Sequence, residues 1–303
     1  MSFPPIPVLN QHFGIAAQLS FSDGPGGLPV ATIRNAHAQA VISLYGGHVL
    51  SYQPHGHAPV LWSSAQSFYE IEKPIRGGVP ICWPWFGPHP NDTNKPSHGF
   101  ARTSVWSVLE TTTVASDATY MRLGLWDTEE THTLWPHAFA LEIAITVGAS
   151  LEIDLCIQNT GNVDFFYSGA LHSYFTVSAI SNITIHGLDA ATYIDQVDSK
   201  QRKVQDGPIT ISSEVDNVYL GTDATCRIDD SGLQRSIQAA KSGSQSTIVW
   251  NPWSAKAQRM RDFGDQEYME MVCVETGNAY DNTVCIPAGQ DHHLGTTINV
   301  VPF

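Results

Sequence analysis

"FALEIAITVGASLEIDLCIQNTG", residues 139 to 161, carries two runs separated by the small residues Gly148, Ala149 and Ser150. In the second run Leu151, Ile153, Leu155 and Ile157 alternate with Glu152, Asp154 and Cys156. A period of two puts every apolar side chain on one face of an extended chain, which is the signature of a half-buried β-strand. The same grammar recurs in "AQAVISLY", "APVLWSS", "SVWSVLETTTV", "YMRLGLWD", "SNITIHGL", "ATYIDQV", "STIVWNPW", "YMEMVCVETG" and "TTINVVPF". Most of these runs are short, rich in β-branched and aromatic residues, and bounded by Gly, Asn, Asp, Pro or Ser. No stretch longer than about a dozen residues keeps apolar residues at helical spacing through to a capped end. The chain therefore reads as all-β, with two large antiparallel sheets packed face to face. No repeat at a fixed period suggests a propeller or solenoid, and no linker divides the 303 residues, so residues 1–303 are expected to form a single domain.

Composition narrows the partners. Fifteen basic residues against 29 acidic ones give a net charge of −14. Such a field repels nucleic acid and anionic membranes, so neither is expected as a partner, and an anionic substrate must be captured locally. Five cysteines with no C-x-x-C pair suggest neither a disulfide framework nor a zinc ribbon. No window reaches the length of a membrane span, and "MSFPPIPVLNQHFGIAAQ" lacks the basic and apolar regions of a signal peptide. The expectation is a cytoplasmic monomer.

One segment departs from this background. Lys73, Arg76, Lys95 and Arg102 stand against a single acid, Asp92, whereas residues 1–72 contain one basic residue, Arg34. A charge cluster is usually a solvated loop. Here the cations alternate with Trp83, Trp85, Phe86, His98 and Phe100, and a long loop of that composition is more often functional. Aromatic surface suits the apolar face of a sugar ring, and arginine offers a fork for phosphate or carboxylate.

Three ionisable groups sit where half-buried strands or their ends are expected: His172 in "SGALHSYF", Asp216 in "SSEVDNVYL" and Glu275 in "VCVETGNAYDN". An imidazole and a tuned carboxyl can exchange protons near neutral pH. Each alone is as readily a core histidine, a turn aspartate or a strand-end glutamate, and only the fold can bring them together. Asp216 and Glu275 could be cast as the carboxylate pair of a glycosidase, which would leave His172 idle. "HGH" at His55–His57 lacks a partner that would complete a metal site, and "DHH" at Asp291–His293 reads as a turn before the last strand. No nucleotide-binding glycine loop or G-x-S-x-G occurs.

Taken together, "YGGHVLSY", "IRGGVPICWPWFGPHP", "SHGFARTSVW", "LWPHAF", "ALHSYF", "EVDNVYL", "WNPW" and "VCVETGNAYDN" resemble the hexose-6-phosphate mutarotases, or glucose-6-phosphate 1-epimerases, of the aldose 1-epimerase superfamily. The match runs in order from about residue 30 to the C-terminus. The resemblance implies a galactose-mutarotase-like β-supersandwich with an open cleft for a small hexose phosphate, and no metal or other cofactor. It implies catalytic roles for His172 as acid and Glu275 as base in ring opening and closure, with Arg76, His98, Arg102 and Asp216 binding substrate. Arg76 and Arg102 would grip the phosphate, and Trp83 and Trp85 would either wall the cleft or brace the loop. Family members often carry Arg or Lys after the aspartate of "EVD", where this chain has Asn217, and the residue before "HGFAR", here Ser97, varies. A mutarotase for free aldoses and a carbohydrate-binding module without chemistry are the competing expectations.

Overall fold

The computed structural model describes residues 3–303, apart from the side chain of Ser116. The alternation of residues 139–161 becomes two antiparallel strands, Phe139–Val147 and Leu151–Asn159, paired from Phe139↔Asn159 to Val147↔Leu151. Their odd-numbered residues from Phe139 to Ile157 are buried, with Leu141, Ile143, Ile145, Leu151 and Leu155 each nearly inaccessible. These strands lie within an eight-stranded sheet, ordered Ile183–His186, Cys226–Asp230, Arg235–Ser242, Asp291–Pro302, Leu151–Asn159, Phe139–Val147, Thr119–Trp126 and Ser107–Thr113.

A second eight-stranded sheet runs Gln201–Val204, Thr192–Asp195, Val215–Leu220, Ser246–Asn251, Met271–Asn278, Gly169–Leu171 and Ile81–Cys82, with Tyr174–Thr176 also paired to Met271–Asn278. Strand Met271–Asn278 is buried on both faces. Val272 and Val274 face a core cluster shared with Leu141, Ile153 and Ile157 of the first sheet, and Cys273 belongs to a smaller cluster with Trp250 and Phe263. The all-β expectation of two large antiparallel sheets is therefore realised. A four-stranded sheet from Leu19–Asp23 to His48–Pro54 and a two-stranded one, Phe165–Tyr167 with Val284–Ile286, complete the architecture.

Two expectations are corrected. "DHH" is no turn: Asp291, His292 and His293 begin the strand Asp291–Pro302 and pair with Gln158, Ile157 and Cys156. The neighbouring strand is long enough to carry the ladder that far, and the outward side of the sheet tolerates polar residues. "APVLWSS" forms isolated bridges, Leu61↔Phe175 and Ser63↔Gly77, instead of a continuous strand. Pro59 supplies no N–H to a ladder at its start. "HGH" lies in a turn. Among the described residues no helix is long and apolar enough to cross a membrane.

Candidate active site

Strand Met271–Asn278 receives two short strands on one edge. Gly169–Leu171 pairs through Leu171↔Thr276, and Tyr174–Thr176 resumes through Tyr174↔Cys273. Both pairings keep one register, so His172 falls opposite Glu275 in the gap between them. His172 Nε2 lies 3.2 Å from Glu275 Oε1. Side chains opposite one another across a ladder share a face and come within reach, which is how residues a hundred positions apart meet. The backbone N–H of His172 donates to the carbonyl of Pro80 at 2.9 Å, and its ring stacks on Tyr174 with centroids 4.6 Å apart and planes 10° from parallel.

This pair forms part of the wall of a cavity of about 370 Å³. All six residues singled out from the sequence line it: Arg76, His98, Arg102, His172, Asp216 and Glu275. They come from four places. Asp216 stands on strand Val215–Leu220, two strands from Met271–Asn278 and opposite Trp250 of the intervening strand Ser246–Asn251, while Arg76, His98 and Arg102 come from the loop region between residues 75 and 102. That region is fastened to itself. Phe100 and Ala101 donate their N–H groups to the carbonyl of Trp83, His98 donates to that of Gly87, and Trp83 bridges Gly99 in parallel.

The tryptophans of "IRGGVPICWPWFGPHP" brace this loop. Trp83 is fully buried, with its ring edge-on to Phe100, Trp135 and Phe139 at 5.7, 4.9 and 4.6 Å. Trp85 is buried and donates its indole N–H to Pro96 O at 2.8 Å. Phe86 provides the aromatic surface that this segment gives to the cavity. Gly78, at φ +62°, passes so close to the strand His48–Pro54 that a Cβ would stand 2.2 Å from Val49 O. Its neighbour Gly77 accepts a hydrogen bond from buried His48 Nε2 at 2.7 Å. Burial holds that imidazole down at about 4, so it is a neutral donor at physiological pH.

Electrostatics divides the cavity. Burial first, then the Asp216 carboxylate, pushes Glu275 well above the ordinary carboxyl range, against the opposing pull of Arg102. Burial, followed by the charges of Arg76 and Arg102, pushes His172 well below the ordinary imidazole range. The two therefore hold one exchangeable proton between them over a wide pH interval. His172 Nδ1 and Glu275 Oε2 are buried with no protein partner. Burial and nearby cations also keep His98 neutral. Because its Nδ1 accepts from the N–H of Gly87 at 3.2 Å, the ring proton resides on Nε2, a donor. Burial raises Asp216, and Lys256 opposes that rise.

The two arginines differ. Arg76 directs Nε and Nη2 to Asp262 Oδ2 at 3.1 and 2.9 Å and Nη1 to the Tyr174 hydroxyl at 3.0 Å. Its charge is already balanced. Arg102 donates Nη2 to the carbonyl of Ser97 at 2.8 Å and has no carboxylate partner among the described residues. Sequence reasoning missed Lys256, whose Nζ lies 2.9 Å from Glu214, 3.6 Å from Asp216 and 5.8 Å from the centre of the Trp250 ring. It also missed Asp262, Trp250 and Gln196. Trp250 lies in "WNPW", one of the motifs that carry the resemblance, and that motif was the available signal; the structure sets it opposite Asp216 and Cys273. Lys256 and Asp262 sit in mixed polar sequence with no such signal.

Known proteins resemble this chain over most of its length. A family model described as aldose 1-epimerase matches residues 29–299. The chain belongs to the aldose 1-epimerase family. Within it, the chain is 34% identical over 288 residues to a protein of Cenchrus ciliaris named "Putative glucose-6-phosphate 1-epimerase", covering 92% of this chain and 86% of that one. It is 34% identical over 296 residues to an Escherichia coli (strain K12) protein of the same name, covering 97% of each. A crystal structure titled "a putative mutarotase (YeaD)" from Salmonella typhimurium superposes with a TM-score of 0.88 at 33% identity, over 96% of both chains. This aldose 1-epimerase family member therefore shares its fold over nearly the whole chain with a solved relative.

Proposed function

We propose that this chain interconverts the α and β anomers of a hexose 6-phosphate, glucose 6-phosphate foremost. One observation carries the reading: His172 Nε2 and Glu275 Oε1 lie 3.2 Å apart on the wall of a cavity that also presents an uncompensated guanidinium. The reaction requires two proton transfers at oxygens bonded to the same carbon, the anomeric hydroxyl and the ring oxygen. A base and an acid side by side suit two oxygens separated by a single bond angle.

In the tautomer of the pair that places the shared proton on His172, ionised Glu275 takes the proton of the anomeric hydroxyl while His172 delivers its own to the ring oxygen, and the ring opens to the aldehyde. After rotation about the bond to the carbonyl carbon, the ring hydroxyl returns its proton to His172 as Glu275 protonates the carbonyl oxygen. The pair ends as it began, having kept one shared proton throughout. General acid and base terms of roughly 10²–10⁴-fold each are a reasonable share of the acceleration. His98 donates from Nε2 to a sugar oxygen, Asp216 accepts from a hydroxyl, and Trp250 offers an apolar face, so the ring is held in one pose. Arg102 is the principal phosphate ligand. Arg76, balanced by Asp262, lends its remaining N–H groups and fixes Tyr174 beneath His172.

The names of the relatives support the phosphate ester over the free sugar. Exchange NMR on the purified protein tests this. Saturable acceleration of anomer exchange in glucose 6-phosphate, well above that in glucose, is expected. Equal acceleration of both would assign a free-aldose enzyme, and binding with no acceleration would assign a carbohydrate-binding module.

A further inference from the structure

The outward face of the first sheet holds a second cluster of chemistry-bearing side chains, on strands that do not contribute to the cavity. His293 and Cys156 are directly opposite in the ladder between Asp291–Pro302 and Leu151–Asn159. Their inward neighbours Leu155 and Leu294 are buried in the core, so Cys156 and His293 project to the other side. Asp291 lies two residues before His293 on the same face. One ligand atom from each of Cys156, Asp291 and His293 lies within 4.8 Å of the others.

We propose that Cys156, Asp291 and His293 form a Zn²⁺ site on this face, with Asp154 orienting the imidazole. His293 Nδ1 is 2.6 Å from Asp154 Oδ2, so Nδ1 carries the proton and Nε2 keeps its lone pair for the ion. Nε2 already lies 3.5 Å from Asp291 Oδ2. A carboxylate on the far nitrogen of a ligating histidine is the usual outer support of such sites. Thiolate, imidazole and carboxylate together are a zinc donor set, with a fourth position open to solvent.

Charge favours a cation. Neither Asp154 nor Asp291 has a Lys or Arg partner among the described residues, and Glu142, opposite Cys156 on the next strand, is paired with Arg122 at 2.6 Å. A divalent ion reverses the sign of that local field. Binding then exchanges the Cys156 S–H bond for an S–Zn bond and releases one proton to the solvent.

Calorimetric titration of the full chain with ZnCl₂ should give one ion per chain, with an enthalpy that varies with buffer as one released proton requires. Substituted with Co²⁺, the protein should show a thiolate-to-metal charge-transfer band. Cys156→Ser should abolish the band, and Asp154→Asn should weaken binding by roughly 10–100-fold while keeping the ligands. Melting temperature should rise with Zn²⁺ and return on adding EDTA, whereas anomer exchange should be the same in these variants as in the parent. Cys285→Ser controls for the other solvent-accessible thiol. Stoichiometric binding and an unchanged band in folded Cys156→Ser, loss of the band in Cys285→Ser, or no binding at micromolar Zn²⁺ would each overturn the proposal.

Discussion

At the scale of single residues, the site keeps a carboxyl group where its ionised form is disfavoured. Glu275 holds its proton in the folded protein at pH values where an unfolded chain, with a carboxyl pKa of about 4.3, has released it. Folded-state stability from this group is thus fully present below the unfolded value and is lost as pH rises towards and through the raised folded value. Glu275→Gln removes that dependence. The difference in unfolding free energy, variant minus parent, measured by denaturant titration, should grow with pH from the acid side upwards, with a limiting slope of about 1.4 kcal/mol per pH unit. A constant difference from pH 5 to 8 would mean that Glu275 is not held protonated. Here the sequence was informative about residue type and silent about pairing. "ALHSYF" and "VCVET" gave an acid and a base, but only the common register of Leu171↔Thr276 and Tyr174↔Cys273 makes them opposite.

At the scale of elements, the loop region from residue 75 to 102 turns aromatic bulk into position. Gly99 sits at φ +69°, and a Cβ there would stand 1.9 Å from the carbonyl oxygen of Trp83. Gly99→Ala must push apart the bridge that fixes His98 and Arg102. It should cost at least about 1–3 kcal/mol, the range for a side chain forced into that backbone region, and lower turnover with it. A variant that melts and turns over as the parent does would show that the bridge does not set the site. The sequence displayed the positive island and its aromatic residues, yet it did not distinguish contact from support. Burial does: Trp83 and Trp85 brace, and Phe86 faces the cavity. Nor could it reveal that Asp262, far along the chain, would take up the Arg76 fork.

At the scale of the whole molecule, the period-two runs made the sheets legible because each strand buries one face. Topology was less accessible, since alternation fixes which side chains point inward and not which strand lies beside which. One core cluster joins residues of both eight-stranded sheets and the four-stranded sheet. We therefore propose that the chain unfolds as one domain, with coincident transitions by tryptophan fluorescence and far-ultraviolet circular dichroism. Two separated transitions would divide it. The central claim concerns the shared proton, and the most direct measurement is magnetisation exchange between the anomers of glucose 6-phosphate with the parent protein and with folded Glu275→Gln and His172→Asn. The expected result is saturable exchange in the parent and a loss of at least about 10²-fold in each variant; exchange at the parental rate in either would contradict the account.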